Sequence, residues 1–376
     1  MLTNSIRLFR VRGIEVGIHY SWLVIFLFVT WSLSVSYFPD TVPGRPDTEY
    51  WLLGAIASLL LFVSVLLHEL AHSFVAKARG LDARSITLFI FGGVSNLGGE
   101  ARQPSTEFLV AIVGPLTSFV IAAAAYVVAQ VSNEPRIEAT ADYLALINAA
   151  LGIFNLIPGF PLDGGRVLRS IIWEVTGNMQ RATDLAANVG KLVAYGFLAW
   201  GFIEILDKDY LDGAWIAVIG WFLHSAASST LSQMVLDTRL KRIRVGDVMR
   251  ADTTVVSPDL SVEQLIDDVL LPGNRRAVPV ALQDRLVGMV TVSDLVRVPV
   301  AQRVTTRVGD VMGGRKGVVT VGPTDTVAFA VELMGEDDLE QLPVVQGERL
   351  VGILARADVM RQLQLRERLD PNPGGS

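Results

Sequence analysis

The sequence predicts a polytopic α-helical membrane protein of six transmembrane helices with a small membrane-associated β-hairpin or sheet, followed by a C-terminal α+β domain. Three observations predict it. The 376 residues are 51% hydrophobic and only 19% charged, with a mean hydropathy of +0.43, too apolar for an ordinary soluble domain. Six apolar stretches approach the roughly 20 residues a helix needs to cross the hydrocarbon core of a bilayer. The last third of the chain is duplicated: Arg244-Val245-Gly246-Asp247-Val248-Met249 returns as Arg307-Val308-Gly309-Asp310-Val311-Met312, and Arg285-Leu286-Val287-Gly288 returns as Arg349-Leu350-Val351-Gly352.

The expected spans run from Tyr20 to Phe38, Trp51 to Ala76, Phe108 to Val131, Tyr143 to Leu168 (interrupted by Pro and Gly), Val189 to Leu206 and Gly213 to Val235. Arg7, Arg10 and Arg12 before the first span resemble the start of a signal peptide, but no A-x-A-like cleavage site follows it. Loop charge gives the orientation. Lys77, Arg79, Arg84 and Arg102 follow span two, Arg166, Arg169, Arg181 and Lys191 follow span four, and Arg239, Lys241, Arg242 and Arg244 follow span six. The alternate loops carry Asp40, Asp47 and Glu49, then Glu134, Glu138 and Asp142, then Asp207, Asp209 and Asp212. By the positive-inside rule both termini are cytosolic in a multi-pass cell-membrane protein.

Between spans two and three, Ser85-Ile86-Thr87-Leu88-Phe89-Ile90-Phe91 is β-branched and aromatic, and Gly92-Gly93 and Gly98-Gly99 bracket Val94 to Leu97. That pattern predicts a short hairpin or sheet, which must lie against the helical bundle near its cytosolic face. Each tail repeat reads as strand, helix, two strands and helix. The expected domains are 1–240 in the membrane, repeats at 244–303 and 304–366, and a disordered Pro/Gly/Ser tail at 367–376.

Composition also excludes. A net charge of −6 without a separate basic tract speaks against nucleic-acid binding, and zero cysteines exclude disulfides, thiolate metal sites and thiol nucleophiles. Any chemistry must come from carboxylate, imidazole or hydroxyl groups.

The sharpest signal is His68-Glu69-Leu70-Ala71-His72 inside span two. Residues four apart share a helical face, so both imidazoles can reach one ion with Glu69 beside them. An uncompensated charge at the bilayer centre costs about 2.5–3.5 kcal/mol on insertion scales, so these groups are expected to be functional. Two histidines leave a zinc site short of a third protein ligand. Asp163 is the candidate, in Asn155-Leu156-Ile157-Pro158-Gly159-Phe160-Pro161-Leu162-Asp163-Gly164-Gly165, where two prolines break a span and present a carboxylate. Alone, Asp163 reads equally well as a turn or N-cap residue; beside the histidine pair, the ligand reading is preferred. His19, at a span edge, and the isolated His224 read as structural or interfacial.

These motifs resemble the site-2 protease family of intramembrane zinc metalloproteases, in the prokaryotic branch that carries a CBS pair. The family pattern is H-E-x-x-H in one span and N-x-x-P-x-x-x-x-D-G in a later one, and Asn155, Pro158, Asp163 and Gly164 match the second part position by position. The resemblance covers nearly the whole chain. It implies one Zn²⁺ per chain on His68, His72 and Asp163, with Glu69 taking a proton from the attacking water and passing it to the leaving amine. The implied substrate is a membrane-spanning regulatory protein, an anti-sigma factor or a tethered transcription-factor precursor, unwound within the lipid bilayer. The Ser85 to Leu97 segment, with Gly92 and Gly93, would hold it extended by β-augmentation. Asn155 would bond substrate or oxyanion, or equally hold the broken helix together.

The tail resembles a CBS pair, a module that implies ATP or AMP binding and often homodimerisation. Its ribose pattern stands as Gly288-Met289-Val290-Thr291-Val292-Ser293-Asp294, implying Thr291 and Asp294 as contacts. The second copy keeps Asp358 but has Ala355 in place of the hydroxyl residue. Asp294 and Asp358 equally fit as caps of the helices that follow them. The rival reading is a CBS-regulated transporter or channel, but the membrane half has no internal repeat and transport does not require His-Glu-x-x-His with an Asp in an unwound span. A sensor that has lost catalysis is disfavoured because Glu69 is present.

Overall fold

The computed structural model describes residues 5–90, 92–99, 101–251, 253–273, 275–314, 317–336 and 339–369. The chain forms two compact units, Met1–Gln233 and Met234–Ser376.

The first unit opens with an antiparallel hairpin, β1 (Ser5–Val11) and β2 (Ile14–His19), turned at Arg12-Gly13, where both residues take positive φ. His19 caps the next helix, accepting from Ser21 N at 3.3 Å. That helix is α1 (Tyr20–Ser32), which passes through a π-helical turn at Leu33–Tyr37 into α2 (Phe38–Thr41), so the first span is Tyr20–Thr41. Then come α3 (Asp47–Ala78), strands β3 (Asp82–Phe89) and β4 (Gly92–Gly98), α4 (Pro104–Val131) and α5 (Pro135–Asn155). After an unwound stretch follow α6 (Asp163–Thr176), α7 (Met179–Leu206) and α8 (Tyr210–Lys241). Among the described residues six helices are long and apolar enough to cross a membrane: Tyr20–Thr41, Asp47–Ala78, Pro104–Val131, Pro135–Asn155, Met179–Leu206 and Tyr210–Met234.

Two features differ from the sequence expectation. The sheet has four strands, in the order β1-β2-β3-β4, because β2 pairs in parallel with β3 (Glu15 opposite Ser85, Ile18 opposite Leu88). The expected hairpin is only its second half, and Phe91 of that segment lies outside the described residues. Span four is also not one interrupted helix from Tyr143 to Leu168. Its helix starts at Pro135, where proline suits the first helical turn, and stops at Asn155 before Pro158 and Pro161.

The unwound stretch is held by backbone. Phe160 N donates to Ala186 O of α7 at 3.2 Å, and a Cβ on Gly159 would come within 2.5 Å of Gly190 Cα. Two facing glycines therefore let the broken span lie directly on α7 and satisfy a backbone group there, as non-helical chain at membrane depth requires. The segment then restarts as α6 with Asp163 as its first residue, one position inside the N-cap Leu162.

In the second unit each repeat contributes two strands to one sheet, in the order β5 (Ala277–Leu282), β6 (Arg285–Thr291), β9 (Arg349–Ala355), β8 (Gln341–Gln346), with the two-residue β7 (Gly313–Gly314) beside β6. The helical pieces are α9 (Val262–Gln264), continuing through π-helical Leu265–Leu270 into α10 (Leu271–Gly273), then α11 (Val292–Val296), α12 (Val308–Val311), α13 (Val327–Glu336) and α14 (Arg356–Leu369). The expected first strand of each copy is reduced to single bridges, Val256 to Val280 and Val321 to Val344. Helix α14 reaches into the expected tail, and 370–376 lie outside the described residues.

The repeats interlock. Val245, from the first copy's opening motif, is buried with Val321, Val327 and Met334 of the second, and Val308 is buried with Val256, Val262 and Leu265 of the first. Matching backbone bonds fix the exchange: Gly246 N donates to Pro323 O and Gly309 N to Pro258 O, each at 2.9 Å.

Candidate active site

Helix α3 carries Asp47 and Glu49 in its first turn and Lys77 in its last, the arrangement that complements the helix dipole. His68 and His72 stand one turn apart near its C-terminal end, both 4% exposed, with ring centroids 4.8 Å apart. Both Nε2 atoms point at Asp163 of α6, each 3.1 Å from Oδ2. Six residues separate His72 from the end of α3 and Val110 from the start of α4, which at 1.5 Å per residue puts the site about 9 Å inside both helix ends.

Helix α4 supplies the other wall through residues spaced by four. His72 Nδ1 lies 2.5 Å from Val110 O, and His68 Nδ1 lies 2.9 Å from Ser118 Oγ. A carbonyl can only accept, so His72 must donate from Nδ1, which leaves the Nε2 of a neutral ring as a lone pair facing His68 and Asp163. Between Val110 and Ser118 on the same face is Gly114. A Cβ there would lie 2.1 Å from His72 Nε2 and 2.6 Å from His68 Nε2, a cradle that any side chain would fill.

The atoms that His68, His72 and Asp163 could offer a metal ion all lie within 4.8 Å of one another. Two imidazole nitrogens and one carboxylate oxygen around a space kept clear by glycine suit a tetrahedral Zn²⁺ with one position left open. The outward-turned Nδ1 atoms, already bonded, are the usual second contact of a metal-bound histidine.

Glu69 is half-buried and faces the sheet. Its Oε2 accepts from Ser95 Oγ of β4 at 2.8 Å, and its side chain occupies the space that a Cβ on Gly93 would need. Helix α6, which opens on Asp163, is tied to α4: Arg169, six residues further along, donates from Nε to Glu107 Oε1 at 2.6 Å and Arg166 lies 4.0 Å from the same oxygen. Glu107 is fully buried. Glu107→Ala is expected to destabilise the folded protein by about 3–5 kcal/mol, since it leaves the Arg169 guanidinium without its carboxylate in a buried site. A thermal melt of the purified variant in detergent checks this; an unchanged midpoint contradicts it.

The remaining residues singled out from sequence sit elsewhere. Asn155 ends α5 and donates from Nδ2 to Leu151 O at 3.0 Å, back onto its own helix. Gly92 and Gly93 open β4, the terminal strand of its sheet. Thr291 and Asp294 cap α11 reciprocally, Thr291 Oγ1 donating to Asp294 Oδ2 at 2.6 Å and Asp294 N to Thr291 Oγ1 at 3.3 Å. Asp358 accepts from Arg250 Nε at 2.8 Å. His224 lies 3.1 Å from the hydroxyl of Tyr195. Sequence reasoning missed Ser95, Glu107, Val110, Gly114, Ser118 and Arg169. A fourfold spacing with Gly114 at its centre was the only available signal, and its meaning depends on which helix α4 faces.

Comparison with known proteins places these features. The profile of Peptidase family M50 matches residues 56–141 and 132–197, and the CBS domain profile matches residues 245–301 and 308–365. Zinc metalloprotease Rip3 of Mycobacterium tuberculosis is 36% identical over 99% of this chain and 96% of its own length. Zinc metalloprotease sll0528 of Synechocystis is 34% identical over 96% of each chain. Among solved structures, the site-2 protease from Methanocaldococcus jannaschii is 33% identical, covering 60% of this chain and 95% of that one with a TM-score of 0.44. Identity above one third along essentially the full length of such relatives makes this chain a member of peptidase family M50, the site-2 proteases: a multi-pass membrane zinc metalloprotease with CBS domains at its C-terminal end.

Proposed function

We propose that the enzyme hydrolyses a peptide bond in or beside the transmembrane segment of a membrane-bound regulatory protein, with one Zn²⁺ on His68, His72 and Asp163 and with Glu69 as the proton carrier. The observation that carries this reading is the convergence of both Nε2 atoms and Asp163 Oδ2 beside Gly114, while both Nδ1 atoms are turned away and bonded. Bound there, Zn²⁺ supplies a Lewis acid that polarises a carbonyl and lowers the pKa of water to about 7. Glu69, next to His68 on the same helix, takes the proton from the attacking water and returns it to the leaving amine. His68 and His72 keep their orientation through Ser118 and Val110.

A transmembrane helix hides its carbonyls in hydrogen bonds, so the substrate must be unwound before cleavage. Strand β4 offers it an edge: it ends the sheet order, and Ser95 links it to Glu69. An extended segment added beside β4 would therefore run past the base. Asn155 donates one amide proton to Leu151 O within α5 and keeps a second donor and its carbonyl for the substrate or for the unwound stretch that follows. The basic loops put both termini in the cytosol of a cell-membrane protein. Substrates of this kind are anti-sigma factors or tethered transcription-factor precursors. Comparing membrane-protein fragments from cells with the active enzyme and with Glu69→Gln tests the proposal. Fragments ending within single-span proteins, present only with the active enzyme, are expected; identical fragment sets contradict it.

The CBS pair would bind an adenine nucleotide through Thr291 and Asp294, with Asp358 the counterpart in the second copy. The two positions differ. Asp358 is held by Arg250, whereas the corresponding residue after the second motif is Gly313. Titrating ATP into the purified full-length protein is expected to raise its melting temperature, and Asp294→Ala to abolish the rise. An absent response at millimolar ATP removes the nucleotide reading.

A further inference from the structure

Ser95 sits where two elements with different tasks meet. On β4, residues alternate between faces, and Gly93 and Ser95 are the ones turned toward α3. A Cβ on Gly93 would come within 2.4 Å of Glu69 Cγ, so glycine lets the strand lie directly against the carboxylate side chain. Two residues on, Ser95 Oγ donates to Glu69 Oε2 at 2.8 Å. Ser73, one turn after Glu69 on α3 and 1% exposed, donates in its turn to Ser95 Oγ at 3.4 Å. The bonds form a one-way chain from Ser73 through Ser95 to Glu69. An ionised carboxylate can only accept and a hydroxyl has a single proton, so Ser95 gives its proton to Glu69 and can only accept at the longer contact with Ser73.

We infer that Ser95 is a positioning residue for the reaction: its hydroxyl aims Glu69 and makes that aim depend on where β4 lies. The inference rests on Glu69 being the base. The strand that offers its free edge to an extended substrate then also carries the hydroxyl that orients the carboxylate, so a substrate ordering β4 orders the base with it. The Ser95 hydroxyl bonds to Glu69 and Ser73, and neither bond involves His68, His72 or Asp163. Its loss acts on turnover and leaves zinc and substrate binding in place.

The test compares Ser95→Thr with Ser95→Val. The two side chains share shape and strand preference and differ only in the hydroxyl, so packing effects cancel in their ratio. Fluorescently labelled casein, an unfolded polypeptide that needs no unwinding, serves as the probe, with the detergent-purified full chain and zinc content measured on each sample. The expected result is that Ser95→Thr keeps kcat within about threefold of the parent while Ser95→Val loses about tenfold or more, with KM and zinc unchanged in both. Equal kcat for the two, whether high or low, overturns the inference, as does a loss carried by KM or by zinc. Glu69→Gln is assayed alongside. If it still cleaves, the assignment of the base fails; if it is inactive and the Thr and Val variants are equal, the role of Ser95 alone fails.

Discussion

Glu69→Gln is expected to lower cleavage by about 10²–10⁴-fold, the usual contribution of a positioned general acid–base group, while the purified protein keeps its zinc. The substitution is close to isosteric, and the amide oxygen can still accept from Ser95, so neither the strand contact nor the α3 face changes. Only the capacity to hold and return a proton is lost. Matched measurements of turnover and zinc content separate this from the ligand variants: His68→Ala removes one of the nitrogens proposed to hold zinc and is expected to lower both. Wild-type turnover by Glu69→Gln would remove the carboxylate from the mechanism.

Gly114→Ala is expected to be nearly as damaging, although it lies on a helix that supplies none of the three ligating side chains. In a helix interior, alanine is favoured over glycine by about 0.8–1.0 kcal/mol, so on propensity alone the change stabilises α4. At this position the added methyl would stand 2.1 Å from His72 Nε2. The rings have little room to retreat, since Val110 and Ser118 hold them on the same face of the same helix. One or both imidazoles must turn away. Zinc affinity is expected to fall by at least the 10–100-fold typical of a lost outer contact, with folding intact. Competition with a calibrated chelator reads the affinity; an unchanged value means that the space beside Gly114 is not where the metal sits.

What could be read from sequence follows how local each feature is. His68, Glu69 and His72 lie within one turn of a single apolar helix, so spacing and setting were enough to single them out. Asp163 needed a second segment, and the prolines at 158 and 161 marked where a span had to open. The face formed by Val110, Gly114 and Ser118 is equally regular, but it acquires meaning only once α4 lies antiparallel against the histidine face of α3. The N-terminal hairpin leaves little trace in the sequence, because Arg7, Arg10 and Arg12 before an apolar span resemble the start of a signal peptide rather than a strand. Its parallel partner β3 is separated from it by α1, α2 and α3, and no local pattern announces that pairing. The tail repeat was plain at the level of motif. The exchange of Val245 and Val308 between the two small cores was not, because a repeat shows which segments are alike and not which one each packs against.

The central claim is that Asp163 completes a zinc site with His68 and His72, and the metal content of Asp163→Ala tests it most directly. Elemental analysis of detergent-purified protein is expected to find one zinc per chain in the parent and in Glu69→Gln, and a small fraction of that in Asp163→Ala after dialysis. A full complement of zinc in Asp163→Ala would contradict the account.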